Sequence, residues 1–163
     1  MFSQQATEDN FKKLAGKYKY IHLATHSFVD MDEPDLSGIA YYHPFFSESE
    51  NDGVLYAGEI YNMELNADLL VLSSCESGSG LIMKGEGVLA VSRGFLLAGA
   101  KNLVVSQWKV ADTPTSELMI HFYNNILEGQ SYRKALKNAK IKLLENTDTA
   151  FPRFWSAFML IGN

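Results

Sequence analysis

Residues 67 to 73 read ADLLVLS, and this run constrains the fold more than any other stretch of the chain. A near-continuous apolar run of this kind is expected for a strand covered on both faces, as in a parallel sheet. Asn102 to Trp108 (NLVVSQW) has the same character, and the closing FWSAFMLIGN reads as an aromatic and aliphatic strand. Between the first two runs lies GEGVLAVSRGFLLAGA, expected to be a helix with small residues on one side for close packing.

After the second strand, Asp112 or Thr113 is expected to cap a helix with Pro114 at its first position. Its apolar positions are Leu118, Phe122 and Ile126, and Gly129 stops it. Ser131 caps a further helix, with Ala135, Leu136, Ala139 and Leu143 inward and Lys134, Lys137 and Lys142 outward. Upstream, residues 7 to 15 (TEDNFKKLA) form a short helix capped by Thr7 or Asp9 and closed by Gly16. YKYIHLATHS, rich in β-branched and aromatic residues, reads as a single short strand. The segment from Asp30 to Gly53 reads as a hairpin-bearing loop, with turn signals at Glu33-Pro34, Ser37-Gly38 and Asn51-Asp52-Gly53. Val54 to Tyr56 is a brief strand and AGEIYNMELN a helix of about two turns. Strand, helix, strand, helix, helix, strand is the order of an α/β fold with a mostly parallel sheet.

At 163 residues one core is expected. The 47% hydrophobic content sets disordered and fibrous classes aside. Nineteen acidic against fourteen basic residues give a net charge of −5, which argues against nucleic acid or an anionic membrane as a direct partner. The most apolar stretch, Val88 to Ala100, is broken by Ser92 and Arg93 and falls short of the roughly 20 residues of a spanning helix. MFSQQATEDN lacks the basic flank and apolar run of a signal peptide. One cysteine, Cys75, rules out an intrachain disulfide and suits a reducing, cytoplasmic setting.

Two chemically active residues stand where two strands are expected to end. His26 closes YIHLATH and Cys75 follows LLVLSS. In an α/β sheet functional groups gather at the carboxyl ends of strands, and adjacent parallel strands lie about 4.8 Å apart. A free thiol is only a few per cent thiolate near neutral pH, so an imidazole that takes its proton turns Cys into a nucleophile and afterwards protonates a leaving amine. The plainer reading of Cys75 is a small buried apolar residue. Its place after a buried strand, inside the glycine-flanked SCESGSG, favours function. His26 read plainly is a solvent-exposed or structural histidine at a strand end. His22 is expected to be a satisfied core histidine or a residue that orients a neighbour, His43 a loop residue and His121 a helix-surface residue. No nucleophile elbow, Walker loop or dinucleotide fingerprint occurs. The single cysteine and scattered histidines lack metal-ligand spacing, so neither metal nor cofactor is expected.

HLATHS, ADLLVLSSCESGSG, GEGVLAVSRGFLLAGAKNLVVSQWKVAD and FPRFWSAFMLIGN resemble, in order, the hallmark blocks of the CHAT domain, a caspase-like family usually joined to tetratricopeptide repeats. The resemblance runs from about Ala6 to Asn163. It implies a three-layer caspase-like or separase-like fold and a cysteine endopeptidase acting on a protein or peptide substrate. His26 matches the family's second histidine and Cys75 its cysteine, while Glu76 and Gly78 match positions of less defined role. Family members often carry glycine directly after the histidine. Here that position is Ser27, whose amide and that of Cys75 are the implied oxyanion donors.

The family usually places further strands before the histidine strand, whereas fewer than twenty residues precede Tyr20 here. The sequence therefore reads as a single domain spanning 1–163, with the histidine strand at a sheet edge, and as the C-terminal part of a longer protein, a separate domain of one, or a chain that pairs that edge with another chain. A repeat or sensor region, in cis or in trans, is the expected regulator. Asp112 is a candidate for a pocket that takes a basic P1 side chain, with helix capping as its plainer role. The acidic segment 30 to 53 is a substrate-guiding lid or a solvated loop. The rival to a peptidase is a catalytically inactive caspase-like domain used for protein interaction.

Overall fold

The computed structural model describes residues 3–30, 32–43, 51–73, 75–76 and 86–162, with the backbone alone for Ser3, Cys75, Glu76 and residues 86–89. Its spine is a four-stranded sheet built from β1 (Tyr20–Leu23), β5 (Leu69–Leu72), β7 (Asn102–Ser106) and β8 (Phe158–Gly162), in the order β1-β5-β7-β8. β5 pairs in parallel with β1 and β7, and β8 closes the far edge antiparallel to β7. A smaller sheet has the order β4-β3-β2-β6, from β2 (His26–Phe28), β3 (Gly38–Ala40), β4 (Val54–Tyr56) and β6 (Cys75–Glu76).

Alternation along β5 explains why its run is apolar throughout. Leu70 and Leu72 face one core with Ile21, Leu23, Leu103 and Val105, against Phe11 of α1 (Glu8–Leu14) and Val91 and Phe95 of α3 (Glu86–Leu97). Leu69, Val71 and Val104 face the other core, against Leu118 and Phe122 of α4 (Asp112–Leu127) and Ala135, Leu136, Ala139 and Leu143 of α5 (Tyr132–Glu145). Helices thus cover both faces of a mostly parallel sheet, the α/β arrangement expected from sequence. The expected inward and outward faces of α5 are as read, and Ser131 caps it by accepting from the Lys134 amide. Thr7 likewise caps α1. At Gly94 an added Cβ would meet Ile60 Cγ2 at 3.1 Å, so the small residue does serve close packing of α3. Among the described residues no helix is long and apolar enough to cross a membrane.

Five local expectations need correction. Tyr20 to His26 is not one strand: the chain leaves the main sheet after Leu23 because β3 offers β2 an antiparallel partner, and Thr25 Oγ1 donates to Ala40 O at 2.6 Å at the bend. The helix expected in AGEIYNMELN is a single turn, α2 (Ala57–Ile60). α4 begins two residues before Pro114, the expected first position, with Ala111 at the N-cap and Pro114 third, so neither Asp112 nor Thr113 caps it. α1 ends at Leu14, and Gly16 belongs to a 3₁₀ turn that follows. The closing block opens with a short helix, α6 (Pro152–Trp155), before β8 begins.

The segment from Asp30 to Gly53 supplies β3, the middle of the β2-β3-β4 meander. Its far end is tied to α1, where the buried Glu8 carboxylate accepts from the Gly53 amide at 3.0 Å and pairs with Lys12 at 2.5 Å.

Candidate active site

β1 and β5 run in parallel register from Tyr20↔Leu69 to Leu23↔Leu72, an offset of 49 residues. Both chains then bend out of the main sheet, and pairing resumes with the same offset at His26↔Cys75 and Ser27↔Glu76 in the second sheet. His26 and Cys75 therefore open β2 and β6 rather than closing the strands before them. The backbones of the two residues lie side by side, at the parallel-strand spacing of about 4.8 Å. Ser27 sits inside β2, paired on one side with Ile39 of β3 and on the other with Glu76. Gly78 lies outside the described residues, as does the side chain of Glu76.

His26 lines a cleft of about 640 Å³ at this end of the sheet. One wall comes from the β1–β2 bend (His22, Ala24, Thr25) and Ser73, and the other from α4. The cleft exists because β1 is the sheet edge, where α4 covers the face only in part. Tyr20 and His22 of β1 share the face that buries Leu69 and Val71 on β5, yet remain exposed while Ile21 and Leu23 are buried. α4 contributes Met119, Ile120 and Tyr123 as an apolar and aromatic wall, and Asp112, Thr115 and Ser116 from its first turns. Asp112 thus shares the cleft with His26, and no side-chain cap bond is made at the start of α4. None of the described residues between Asp30 and Gly53 lines the cleft.

His22 is satisfied as expected, but in the cleft and not in the core. Its Nε2 shares a 2.8 Å hydrogen bond with Ser73 Oγ, and its Nδ1 a 3.0 Å bond with the Tyr123 hydroxyl. The protein packed around the ring desolvates it and lowers its pKa below the ordinary imidazole value. Burial likewise pushes the Tyr123 hydroxyl up to about 12, so it stays protonated. His43 Nε2 lies 3.1 Å from Asn51 O in the loop, and His121 is half-buried on α4.

Ser73 and Tyr123 were not singled out from sequence. Ser73 carried a signal, since it stands two residues before the cysteine at a strand end. Tyr123 carried none, because it is 101 residues from His22 along the chain and meets it only through packing of α4. Among the described residues no cluster of His, Cys, Asp and Glu could hold a metal ion.

The family model described as the CHAT domain matches residues 1–163. The chain is 33% identical over 111 residues to tetratricopeptide repeat protein 28 of Homo sapiens, covering 68% of this chain and 4% of that protein. The mouse protein of the same name is 31% identical over 111 residues, with the same coverage. The chain therefore spans about 4% of the length of these curated relatives.

Proposed function

The chain belongs to the CHAT domain family, and from that premise we propose that it is a cysteine endopeptidase of the caspase-like type. What supports this reading above all is the backbone pairing of His26 with Cys75, where His26 lines a cleft of about 640 Å³. In this mechanism His26 takes the thiol proton, and the Cys75 thiolate attacks the scissile carbonyl carbon to form a tetrahedral oxyanion. The amides of Ser27 and Cys75 are its proposed donors. Collapse breaks the C–N bond, with His26 returning its proton to the leaving amine and a thioester left on Cys75. Water, deprotonated by His26, then hydrolyses the thioester and restores the thiol.

Asp112, across the cleft from His26, is the proposed partner of a basic P1 side chain. Glu76 and Gly78 are assigned to support of the nucleophile loop. The names of the relatives favour a tetratricopeptide-repeat region, in cis or in trans, as the regulator. A cytoplasmic, reducing setting is part of this proposal, and the single cysteine suits it.

The test is cheap because the chain has one cysteine. Folded protein is alkylated with iodoacetamide beside a denatured control, and wild type and Cys75→Ala are compared on a peptide library. Faster labelling of the folded form and loss of cleavage in the variant are expected. Equal labelling, with the two proteins indistinguishable on the library, refutes the peptidase and leaves an inactive interaction domain.

A further inference from the structure

The two stretches of sequence that lead to His26 and Cys75 are paired by two successive ladders, β1 with β5 and then β2 with β6. The main-sheet ladder ends at Leu23↔Leu72 and the second begins at His26↔Cys75. Ala24, Thr25 and Ser73 belong to neither. In this gap the backbone contributes the Ser73 amide donating to Leu23 O at 3.0 Å, and the side chains contribute the His22–Ser73 bond. A slip of one residue across such a gap would replace the partner of His26 altogether.

We propose that His22, held by Tyr123, is a positioning residue that locks Ser73 and thereby fixes the spacing of His26 and Cys75. This rests on the cysteine-peptidase reading above. The hydrogen bonds to Ser73 and Tyr123 fix the imidazole at both nitrogens, one from the residue that follows β5 and one from α4. A neutral imidazole has one donor and one acceptor nitrogen, so one hydroxyl donates to the ring and the ring donates to the other. The Tyr123–His22–Ser73 chain thus pins the bend of β5 to the helix that forms the opposite wall of the cleft. His22 lies outside both hydrophobic cores, on the open face of β1, with only its ring packed in the cleft, so its removal is expected to disturb the spacing more than the folding.

The test is the pH–rate profile of Cys75 alkylation in the full chain, read with thermal melting. The variants are His26→Ala, His22→Phe, His22→Gln, Tyr123→Phe and Ser73→Ala. Wild type is expected to titrate below the ordinary thiol value of about 8.5, and His26→Ala to return it there. His22→Phe and Ser73→Ala are expected to shift the profile the same way, slowing alkylation at pH 7 on the order of tenfold. Melting should change little, and His22→Gln, whose amide can reach Ser73, should restore the profile. If His26→Ala moves the profile but His22→Phe and Ser73→Ala do not, the positioning role is overturned while the dyad stands. If wild type already titrates as an ordinary thiol and His26→Ala changes nothing, the dyad itself fails. Should His22→Phe unfold, Tyr123→Phe and Ser73→Ala, which each remove one hydroxyl, decide in its place.

Discussion

Replacing Asp112 with Asn separates substrate recognition from helix stabilisation. Asp112 is the first residue of α4, exposed on the cleft that also holds His26. The N-cap is Ala111 and no side chain caps the helix, so the carboxylate helps α4 only through the helix dipole. That is worth about 0.3–1 kcal/mol at an exposed N-terminus, against about 1 kcal/mol or more for a lost cap. A charge-assisted hydrogen bond from a Lys or Arg substrate side chain is worth about 1.5–3 kcal/mol, or roughly 10- to 100-fold in kcat/KM. Asp112→Asn should therefore lower kcat/KM 10- to 100-fold on peptides with Lys or Arg at P1 and barely affect a neutral P1. The urea midpoint should shift by no more than about 1 kcal/mol of stability. Paired fluorogenic peptides that differ only at P1 measure the first quantity. An equal loss on both peptides, or a stability loss without any change in selectivity, would refute the assignment.

Two further outcomes follow from the packing of α4 and the surroundings of His22. Phe122 is fully buried in the core between the sheet and α5, so Phe122→Ala should cost about 3–5 kcal/mol in urea unfolding; a loss below about 1 kcal/mol would mean that α4 is not packed as described. The folded-state pKa of His22 lies below its ordinary value through desolvation, so the unfolded chain takes up that proton first, near pH 6.5. Stability is then fully present above about pH 6.5 and falls as pH drops toward the folded pKa. His22→Gln should flatten that part of the curve of stability against pH, and identical curves for the two proteins would contradict the desolvation.

The run ADLLVLS was legible as a strand because all four residues of β5 are buried and alternate between two cores. α5 was legible for a related reason: its apolar spacing and its Ser131 cap are local properties of consecutive residues. The break between β1 and β2 was not. The residues from Tyr20 to His26 have a uniform strand character, and the choice to leave the main sheet depends on β3, brought in from beyond residue 37. α4 shows the same limit at its start. Asp112 and Thr113 are good caps by type, yet the turn closes on Ala111, leaving the carboxylate to face the cleft instead of the helix.

By itself the sequence determined the fold class, the order of its elements and the two residues worth pairing, because burial periodicity and residue chemistry are local. It also placed His26 and Cys75 49 residues apart, the separation that the parallel register then keeps through both ladders. Only the tertiary structure decided that those residues open a second small sheet, that Asp112 shares a cleft with His26, and that Tyr123 reaches His22. Those facts depend on which distant segments compete for the same strand edges and helix faces. Such competition is settled by packing of the whole chain, which no single stretch of residues encodes.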